Sequence, residues 1–421
     1  MRVLTALFRP DAIAGHGHLS RSLALATAWA RTGGAVVVDA PGIDDAWLAR
    51  YEAIGTVWTG QRCDWCVLDG YGNTVDVQRA ARAEHDHVLV IDDHGSLGRY
   101  DADLVLDHNI GATSGDLRGI RYLLLRPEFR AEPPTRTGGH VLLAPGGAPS
   151  ADTAAQFEAA ASALAGLDVV WLRGVDDVVA TMAAADVAIA AAGVTAYELA
   201  RVGVPAVLVA VADNQRPVAR RLAEAGAAVF VDGSQMAEAA LDLLADAARR
   251  DEMSRTARAL VDGRGADRVV AAMRSVSIDL RPATDDDAEL TWRWANDPEV
   301  RRQSFSSAPI PWEAHRAWFA DRPADYVIAE VDGVPVGQVR FAGDPVAEVG
   351  YLLDADARGR GLAAPLLVAA CRWFRAAHPD TDVVARVKPD NAASIAALDL
   401  AGFEPMEPEG TALRYRLPAT T

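Results

Sequence analysis

The heptapeptide GHGHLSR (15–21) sets two histidines between glycines, where the apolar run RVLTALF hands over to a helical pattern. Imidazole titrates near neutrality, so a histidine here is able to take a proton from water. The glycines are expected to permit positive φ and let a ligand approach the backbone. A helix expected from Ser20 to Arg31 turns its free N–H groups toward that ligand and favours an anion such as a phosphate. The stretch therefore reads as a general base directed at a water beside a phosphate ester. The alternative is that each histidine caps the helix or hydrogen-bonds a neighbour. A dinucleotide fingerprint needs its third glycine at position 20, which is Ser20, so a nicotinamide site is excluded.

Two further stretches carry anion-binding chemistry. In DVAIAAAGVTAYELARVGVPAVLVAVADNQ (186–215) a strand is expected to end at Ala190, before a glycine turn and a helix from Thr195. The amides of Val194, Thr195 and Ala196 suit a diphosphate, and Glu198 in the first turn suits ribose hydroxyls. In VGYLLDADARGRGLAAPLL a strand runs to Leu353, and Arg358 to Ala363 lead into an apolar helix. The spacing R-x-x-G-x-A makes a glycine-lined turn whose amides converge on one point, as a pyrophosphate requires.

Other candidates are weaker. Asp92 and Asp93 suit either a metal or strand-end caps, and no ligand cluster of recognisable spacing accompanies them. His94 and His108 lack flanking glycines. Cys63 and Cys66 form a single CxxC with no second pair, and Cys66 opens the apolar run CVLDGY. With Cys371 they make three cysteines, too few for a disulfide framework, and they read as buried small hydrophobes.

These residues need a scaffold, and 421 residues suggest two or three domains. To about residue 130, short apolar runs (VLTALF, AVVVDA, CVLDGY, VLVID, LVLDH) alternate with helical patterns and lack period-2 alternation. They fit the buried parallel strands of a doubly wound α/β sheet. The polar stretch EPPTRTGG (132–139) interrupts the pattern, which restarts at HVLLAPGG and makes a second similar half with a cleft between the two. Near Ile278 the texture changes to the alternation of an antiparallel sheet. The expected fold is α/β: two Rossmann-like halves, residues 1–132 and 138–275, followed by an α+β domain at 278–421. A formal charge of −17 excludes nucleic acid or an anionic membrane as a general partner. The N-terminus lacks a charged leader and no apolar run approaches a membrane span, so a cytoplasmic protein is expected. Oligomeric state is not legible.

With these motifs in place, a family resemblance becomes specific. Residues 186–215 resemble the nucleotide-sugar-binding half of the GT-B fold, notably the bacterial transferases that add N-acetylglucosamine to lipid-linked muramyl peptide. Asn214 and Gln215 match the polar pair that reaches the donor sugar. Together GHGHLSRSLALA, VLDGYG (67–72), VIDDH (90–94), LVLDHN (104–109), YLLLRPEF (122–129) and LLAPGG (142–147) resemble the hydrolase of the pseudaminic acid pathway and its spore-coat relatives, over about residues 1–275. That resemblance implies a GT-B fold without a sugar acceptor. It implies metal-free cleavage by water, with inversion, of a UDP-linked 2,4-diacetamido-2,4,6-trideoxyhexose. His18 would be the base and Tyr71 would position water or sugar. Gly15, Gly17, Arg21, Gly193, Val194, Thr195, Glu198, Asn214 and Gln215 would hold nucleotide and sugar, with His16 secondary.

Residues 278–417 resemble the Gcn5-related N-acetyltransferases. This implies acetyl-CoA as cosubstrate, held by Val349, Tyr351, Leu352, Arg358, Gly359, Arg360, Gly361, Leu362, Ala363, Asn391 and Ser394. Glu348, at the start of the strand that runs to Leu353, is the expected base, with a buried carboxylate merely pairing with an arginine as the alternative. The family often places a tyrosine where this chain has Leu398, which leaves the acid unassigned. Trp292, Trp294, Asn296, Asp297, His315, Trp318 and Phe319 resemble the acceptor-side helices of the subgroup that includes the pseudaminic-pathway acetyltransferase; core packing is the alternative. The combined expectation is a bifunctional enzyme that N-acetylates a UDP-linked amino sugar and hydrolyses off UDP. The alternatives are a GT-B glycosyltransferase with a tailoring acetyltransferase, or a non-catalytic nucleotide-sugar-binding module. The exact sugar, and UDP against CMP, are not legible.

Overall fold

The computed structural model describes residues 2–11, 16–93, 95, 97–147, 149–343 and 345–417, the His16 side chain excepted. It divides into two compact units, residues 4–266 and residues 267–421 with the N-terminal tripeptide.

The first unit contains two parallel, Rossmann-like sheets. One is built from β1 (Thr5–Pro10), β2 (Ala35–Val38), β3 (Thr56–Val57), β4 (Trp65–Asp69), β5 (His87–Ile91), β6 (Leu104–Asp107) and β7 (Leu117–Arg118), in the order β3-β2-β1-β4-β5-β6-β7. The other uses β8 (His140–Ala144), β9 (Val169–Trp171), β10 (Ala185–Ala191), β11 (Ala206–Val209) and β12 (Val229–Phe230), in the order β12-β11-β10-β8-β9. All five residues of β4 are buried, as a strand covered on both faces demands. Parallel strands all deliver their C-terminal ends to one edge, where ligands of open α/β sheets bind. The segments following β1, β4, β5 and β6 therefore bring His18, Tyr71, Asp93 and His108 together, and those following β10 and β11 bring Gly193 and Asn214.

The first helix departs from expectation. It spans His16–Arg31, beginning four residues before Ser20. Leu19, Leu23, Leu25, Ala26 and Trp29 are all buried, and this apolar face carries the helix back through the glycine-histidine stretch. Gly17 consequently takes no positive φ; it lies in the first turn, and a Cβ placed there would meet nothing within 4 Å. Its missing side chain supplies room for close approach. Gly15, the His16 side chain and His94 lie outside the described residues.

Two contacts tie the layers of this unit together. Leu123, Leu125 and Phe129 precede the polar break yet pack into the core of the second sheet. Arg201 holds this strap, donating from Nε to Phe129 O (3.0 Å) and from Nη2 to Ala131 O (2.8 Å). The Tyr197 hydroxyl donates to Asn109 Oδ1 and accepts from Ile110 N–H, both at 3.2 Å, which joins the helix Val194–Val202 to the end of β6.

The second unit is a seven-stranded sheet made of β13 (Asp279–Pro282), β14 (Tyr326–Val331), β15 (Val334–Ala342), β16 (Ala347–Leu353), β17 (Val383–Val387), β18 (Glu404–Glu409) and β19 (Ala412–Leu417). Their order is β13-β14-β15-β16-β17-β19-β18. Pairing is antiparallel except between β16 and β17, which run parallel and pair only at Ala347 and Glu348. Beyond Glu348 the β17-facing edge of β16 pairs with no strand among the described residues. The helix Ala363–Ala377 packs its buried face (Leu366, Leu367, Ala370, Phe374) over this sheet, with Phe374 stacked on Phe341 at 4.2 Å between ring centroids. Among the described residues, no helix is long and apolar enough to cross a membrane.

Candidate functional site

In the first unit, a cleft of about 190 Å³ opens between the two sheet edges. Gly17, His18, Arg21, Tyr71, Asp93, His108 and Asn109 line one wall; Ala192, Gly193, Val194, Tyr197, Asn214, Gln215 and Val218 line the other. His18 is 5% exposed, and its Nδ1 lies 2.7 Å from Oδ1 of the fully buried Asp69. Arg21 grips the same carboxylate through Nε (3.0 and 2.9 Å) and Nη2 (2.6 Å), and reaches Asp93 Oδ2 through Nη1 (2.7 Å). Burial alone would push the Asp69 carboxyl up. The Arg21 charge and the hydrogen bonds from His18 and Arg21 overcome this and hold it below the usual carboxylate range. An ionised Asp69 only accepts, so the His18 proton sits on Nδ1. Arg21 Nη2 also approaches Nδ1, at 3.0 Å, but it has only N–H to offer and the carboxylate takes the imidazole proton. The lone pair of Nε2 is left unengaged by any described residue. Tyr71 stands edge-on to the His18 ring, with centroids 4.9 Å apart and planes at 90°, and is half exposed.

On the opposite wall, Gly193 caps the helix Val194–Val202. Ala196 donates its N–H back to Gly193 O at 3.0 Å, so the diphosphate-holding amides expected from sequence reduce to Val194 and Thr195, which have no intrahelical acceptor. Val194 lines the cleft and Thr195 does not. Glu198 is not in the cleft either. It is 3% exposed, and both its oxygens are taken by Arg126, Nε to Oε1 at 2.6 Å and Nη2 to Oε2 at 2.8 Å. A ribose contact would require that pair to open. Asn214 caps the helix Gln215–Glu224, and Gln215 accepts from Val211 N–H (3.1 Å) while its amide lies against Gly193.

Sequence reasoning missed Asp69, although it sits inside the quoted VLDGYG. The legible signal was a carboxylate ending an otherwise apolar strand, which must find a buried partner. The structure also brings Asp93 and His108, weaker candidates from sequence, into the cleft. Asp92 does act as a strand-end cap, accepting from Leu97 N–H (3.1 Å) and Tyr100 O–H (2.8 Å), whereas Asp93 faces the cleft. Among the described residues no three His, Cys, Asp or Glu side chains converge as a metal set. All three cysteines are free and buried, and burial pushes the Cys66 thiol up to about 12.

The second unit holds a cavity of about 350 Å³ against β15 and β16. His315, Trp318, Tyr351 and Leu352 line it, as do Arg301, Gln338, Arg340 and Gly350. Trp292 and Asn296 instead clamp Ile310 through its backbone, Trp294 donates to Asp354 (2.6 Å), and Phe319 is core. Glu348 lies two rungs beyond the lining residue Gly350 and pairs with Arg386, Nε to Oε2 at 2.9 Å. Past the open end of β16, Gly359 and Gly361 take φ of +72° and +70° and make the turn into the helix Ala363–Ala377. A Cβ at Gly359 would meet nothing within 4 Å, so the turn presents bare backbone, as a pyrophosphate cradle requires. Arg358 faces inward, bonding Leu353 O (3.2 Å) and Asp297 (2.8 Å), and so braces the loop; Arg360 is exposed. Leu362 precedes the helix as its buried cap, and Val349 packs into the core. Asn391 caps the helix Ala392–Ala401 through Ser394 N–H, and Tyr351 O–H donates to Ser394 Oγ at 3.0 Å.

Residues 277–404 match the acetyltransferase (GNAT) domain family, so the second unit carries a GNAT acetyltransferase domain. The chain is also 41% identical, over 126 residues, to the UDP-N-acetylglucosamine–N-acetylmuramyl-(pentapeptide) pyrophosphoryl-undecaprenol N-acetylglucosamine transferases of Burkholderia cenocepacia and Burkholderia orbicola. That match covers 27% of this chain, and the chain spans about a third (33%) of the length of those curated relatives. Similar solved structures include a GNAT-family acetyltransferase from Bacillus anthracis (16% identity, 34% of this chain and 95% of that one, TM-score 0.30). Others are the ribosomal-protein-alanine N-acetyltransferase of Brucella melitensis (21%, 33% and 99%, TM-score 0.29) and an aminoglycoside acetyltransferase solved with coenzyme A and kanamycin (21%, 34% and 95%, TM-score 0.30).

Proposed function

We propose that the chain is a bifunctional nucleotide-sugar enzyme of pseudaminic acid or a related nonulosonate pathway. The GNAT domain transfers acetyl from acetyl-CoA to the amine of a UDP-linked amino sugar, and the first unit hydrolyses the C1–O bond and releases UDP. The observation that carries the hydrolase half is the oriented imidazole: Nδ1 is committed to Asp69 and Nε2 is open to a cleft whose far wall is a helix N-terminus.

In this reading UDP lies against Val194, whose amide, with the helix dipole behind it, favours the departing diphosphate. Asn214 and Gln215 contact the sugar. His18 Nε2 takes one proton from water as the oxygen bonds to C1, and the C1–O bond electrons leave with UDP. The imidazolium formed is stabilised by Asp69, and Tyr71 limits where the water can stand.

For the GNAT domain, acetyl-CoA supplies a thioester acyl group, with the Arg358–Ala363 turn and the unpaired edge of β16 to hold it. The amine enters the cavity beside Trp318 and attacks the acyl carbon; the C–S bond breaks, its electrons leaving with coenzyme A as the thiolate, and the proton the amine loses reaches Glu348 by way of water. Arg301 and Arg340 line that cavity, and no carboxylate does among the described residues. Arg301 is spent on the carbonyls of Ala295, Ser306 and Ala308, whereas Arg340 lies over the Trp318 ring at 5.4 Å and makes no ion pair with a described residue. A free cation facing the acceptor cavity supports an amine that carries an anionic group, such as a nucleotide-linked sugar, and disfavours a polycation.

A second reading, a glycosyltransferase with a tailoring acetyltransferase, is favoured by the partial likeness to the Burkholderia transferases. Incubation with a UDP-diacetamido sugar alone separates the two. A hydrolase liberates UDP and free sugar in equal amounts without an acceptor; intact substrate that turns over only when an acceptor is added would replace the hydrolase reading with the transferase one.

A further inference from the structure

The cleft of the first unit contains a second imidazole whose hydrogen bonding is the reverse of that of His18. His108 directly follows β6 and is 3% exposed. Its Nδ1 accepts the backbone N–H of Leu124 at 3.1 Å. An acceptor nitrogen in a neutral imidazole requires the proton on the other one, so Nε2 carries N–H. That nitrogen has no partner among the described residues, and His108 lines the cleft. The charged groups that act on it are Arg21, Asp93 and Asp69, together with His18. Burial and the Arg21 charge together hold the imidazolium form off down to about pH 4. The ring therefore enters the working range uncharged.

We propose that His108 is a specificity-determining residue of this cleft, a permanently neutral Nε2–H donor that binds a neutral oxygen acceptor on the sugar, an amide carbonyl or a hydroxyl. The proposal rests on the nucleotide-sugar reading of the cleft. Charge assigns the oxygen to the sugar and not to the phosphates. Among the described residues of this wall the arginine, Arg21, is already neutralised by Asp69 and Asp93, whereas the amide of Val194 stands on the opposite wall. The two imidazoles are thus complementary tools fixed by their backs: Asp69 makes one an acceptor, and Leu124 N–H makes the other a donor.

Two variants separate the cleft-facing role from the structural one. His108→Asn keeps an acceptor near the Nδ1 position for Leu124 N–H and removes the ε donor; His108→Gln places an amide donor near the ε position. With a UDP-diacetamido sugar, kcat/KM is expected to fall about 10- to 100-fold in His108→Asn, mostly through KM, with partial recovery in His108→Gln. If the acceptor is the amide carbonyl, the penalty disappears with the corresponding UDP-amino sugar lacking that acyl group; if it is a hydroxyl, the penalty is the same for both substrates. Nitrogen-15 spectra of histidine-labelled full-length protein should show His108 as the Nε2–H tautomer, not titrating from pH 5 to 8, and its signal should move on adding UDP-sugar. An Nδ1–H tautomer, titration within that range, or a His108→Asn variant that turns over like an active wild type each overturns the proposal. Should the wild type fail to cleave UDP-sugar, the hydrolase reading falls. The nitrogen spectra with and without UDP-sugar still decide the role of His108: a signal that moves upholds the donor, and one that does not overturns it.

Discussion

Replacing Asp69 by asparagine attacks the cleft at its most connected point. The carboxylate is fully buried and receives His18 and two nitrogens of Arg21. Removing one partner of a buried ion pair costs about 3–5 kcal/mol, and because Asp93 still neutralises Arg21 the lower end, about 3 kcal/mol, applies. For a unit of this size each kcal/mol moves the melting temperature by about 2–4 °C, so a drop of about 6–12 °C is expected. The chemical consequence is larger. An asparagine amide can donate to Nδ1, which forces the imidazole proton to Nε2 and removes the lone pair that must accept from water. Loss of an orienting carboxylate behind a catalytic imidazole is worth about 10⁴-fold, and here about 10³- to 10⁴-fold is expected in kcat for UDP release. The assay follows UDP release from a UDP-diacetamido sugar at a temperature where circular dichroism shows the variant folded. A folded Asp69→Asn protein that releases UDP within about threefold of the wild-type rate would refute the base assignment for His18 and the reasoning built on its tautomer.

Gly359→Ala puts a side chain at φ +72°, a strain of about 1–2 kcal/mol on an exposed turn; initial-rate kinetics should show KM for acetyl-CoA raised about tenfold with UDP release unchanged. Arg340→Gln should raise KM about tenfold for a UDP-linked amine and leave a neutral amine untouched, and equal effects on both would dissociate Arg340 from the anionic group. His108 is held down to about 4 from an ordinary value near 6.5, so the folded state binds fewer protons than the unfolded one between those values. Its contribution is fully present above pH 6.5 and is lost as pH falls toward 4, about 3 kcal/mol in all. Urea denaturation from pH 7 to 4.5 should show this loss in the wild type and a shallower one in His108→Asn.

What the sequence disclosed depended on whether a feature was local. The parallel strands were legible because a strand buried on both faces must be continuously apolar, as CVLDGY and VLVID are. The glycine turn before the helix Ala363–Ala377 was legible because two left-handed glycines between a strand and a helix leave a compact signature. The start of the first helix was not, because helix propensity penalises glycine, whereas the buried face through Leu19 and Leu23 overrides it by tertiary packing. Glu198 looked like a first-turn ligand, but Arg126, 72 residues away in sequence, claims it. Asp69 and His18 are 51 residues apart. Such pairings appear only once the sheet order is known, since β4 lies beside β1 and no spacing rule encodes that adjacency.

The same adjacency explains the division of labour across the cleft. On the first wall every described charge is answered within the wall: Arg21 between Asp69 and Asp93, with the two histidines presenting one lone pair and one N–H. Such a surface has little to offer an anion and much to offer a neutral polyol, because a neutral donor and acceptor select by direction and not by charge. On the second wall, the exposed groups are a glycine, helix-terminal amides and two carboxamides, which suit a diphosphate without a competing side-chain cation. A substrate with a neutral head and an anionic tail satisfies both walls at once, and in only one orientation. Under the proposed hydrolase reading, its scissile bond would lie between the imidazoles and the helix terminus. Reversal would set the diphosphate against Asp93 and leave the amide of Val194 facing a sugar, so on this reading the electrostatics discriminate productive from unproductive binding.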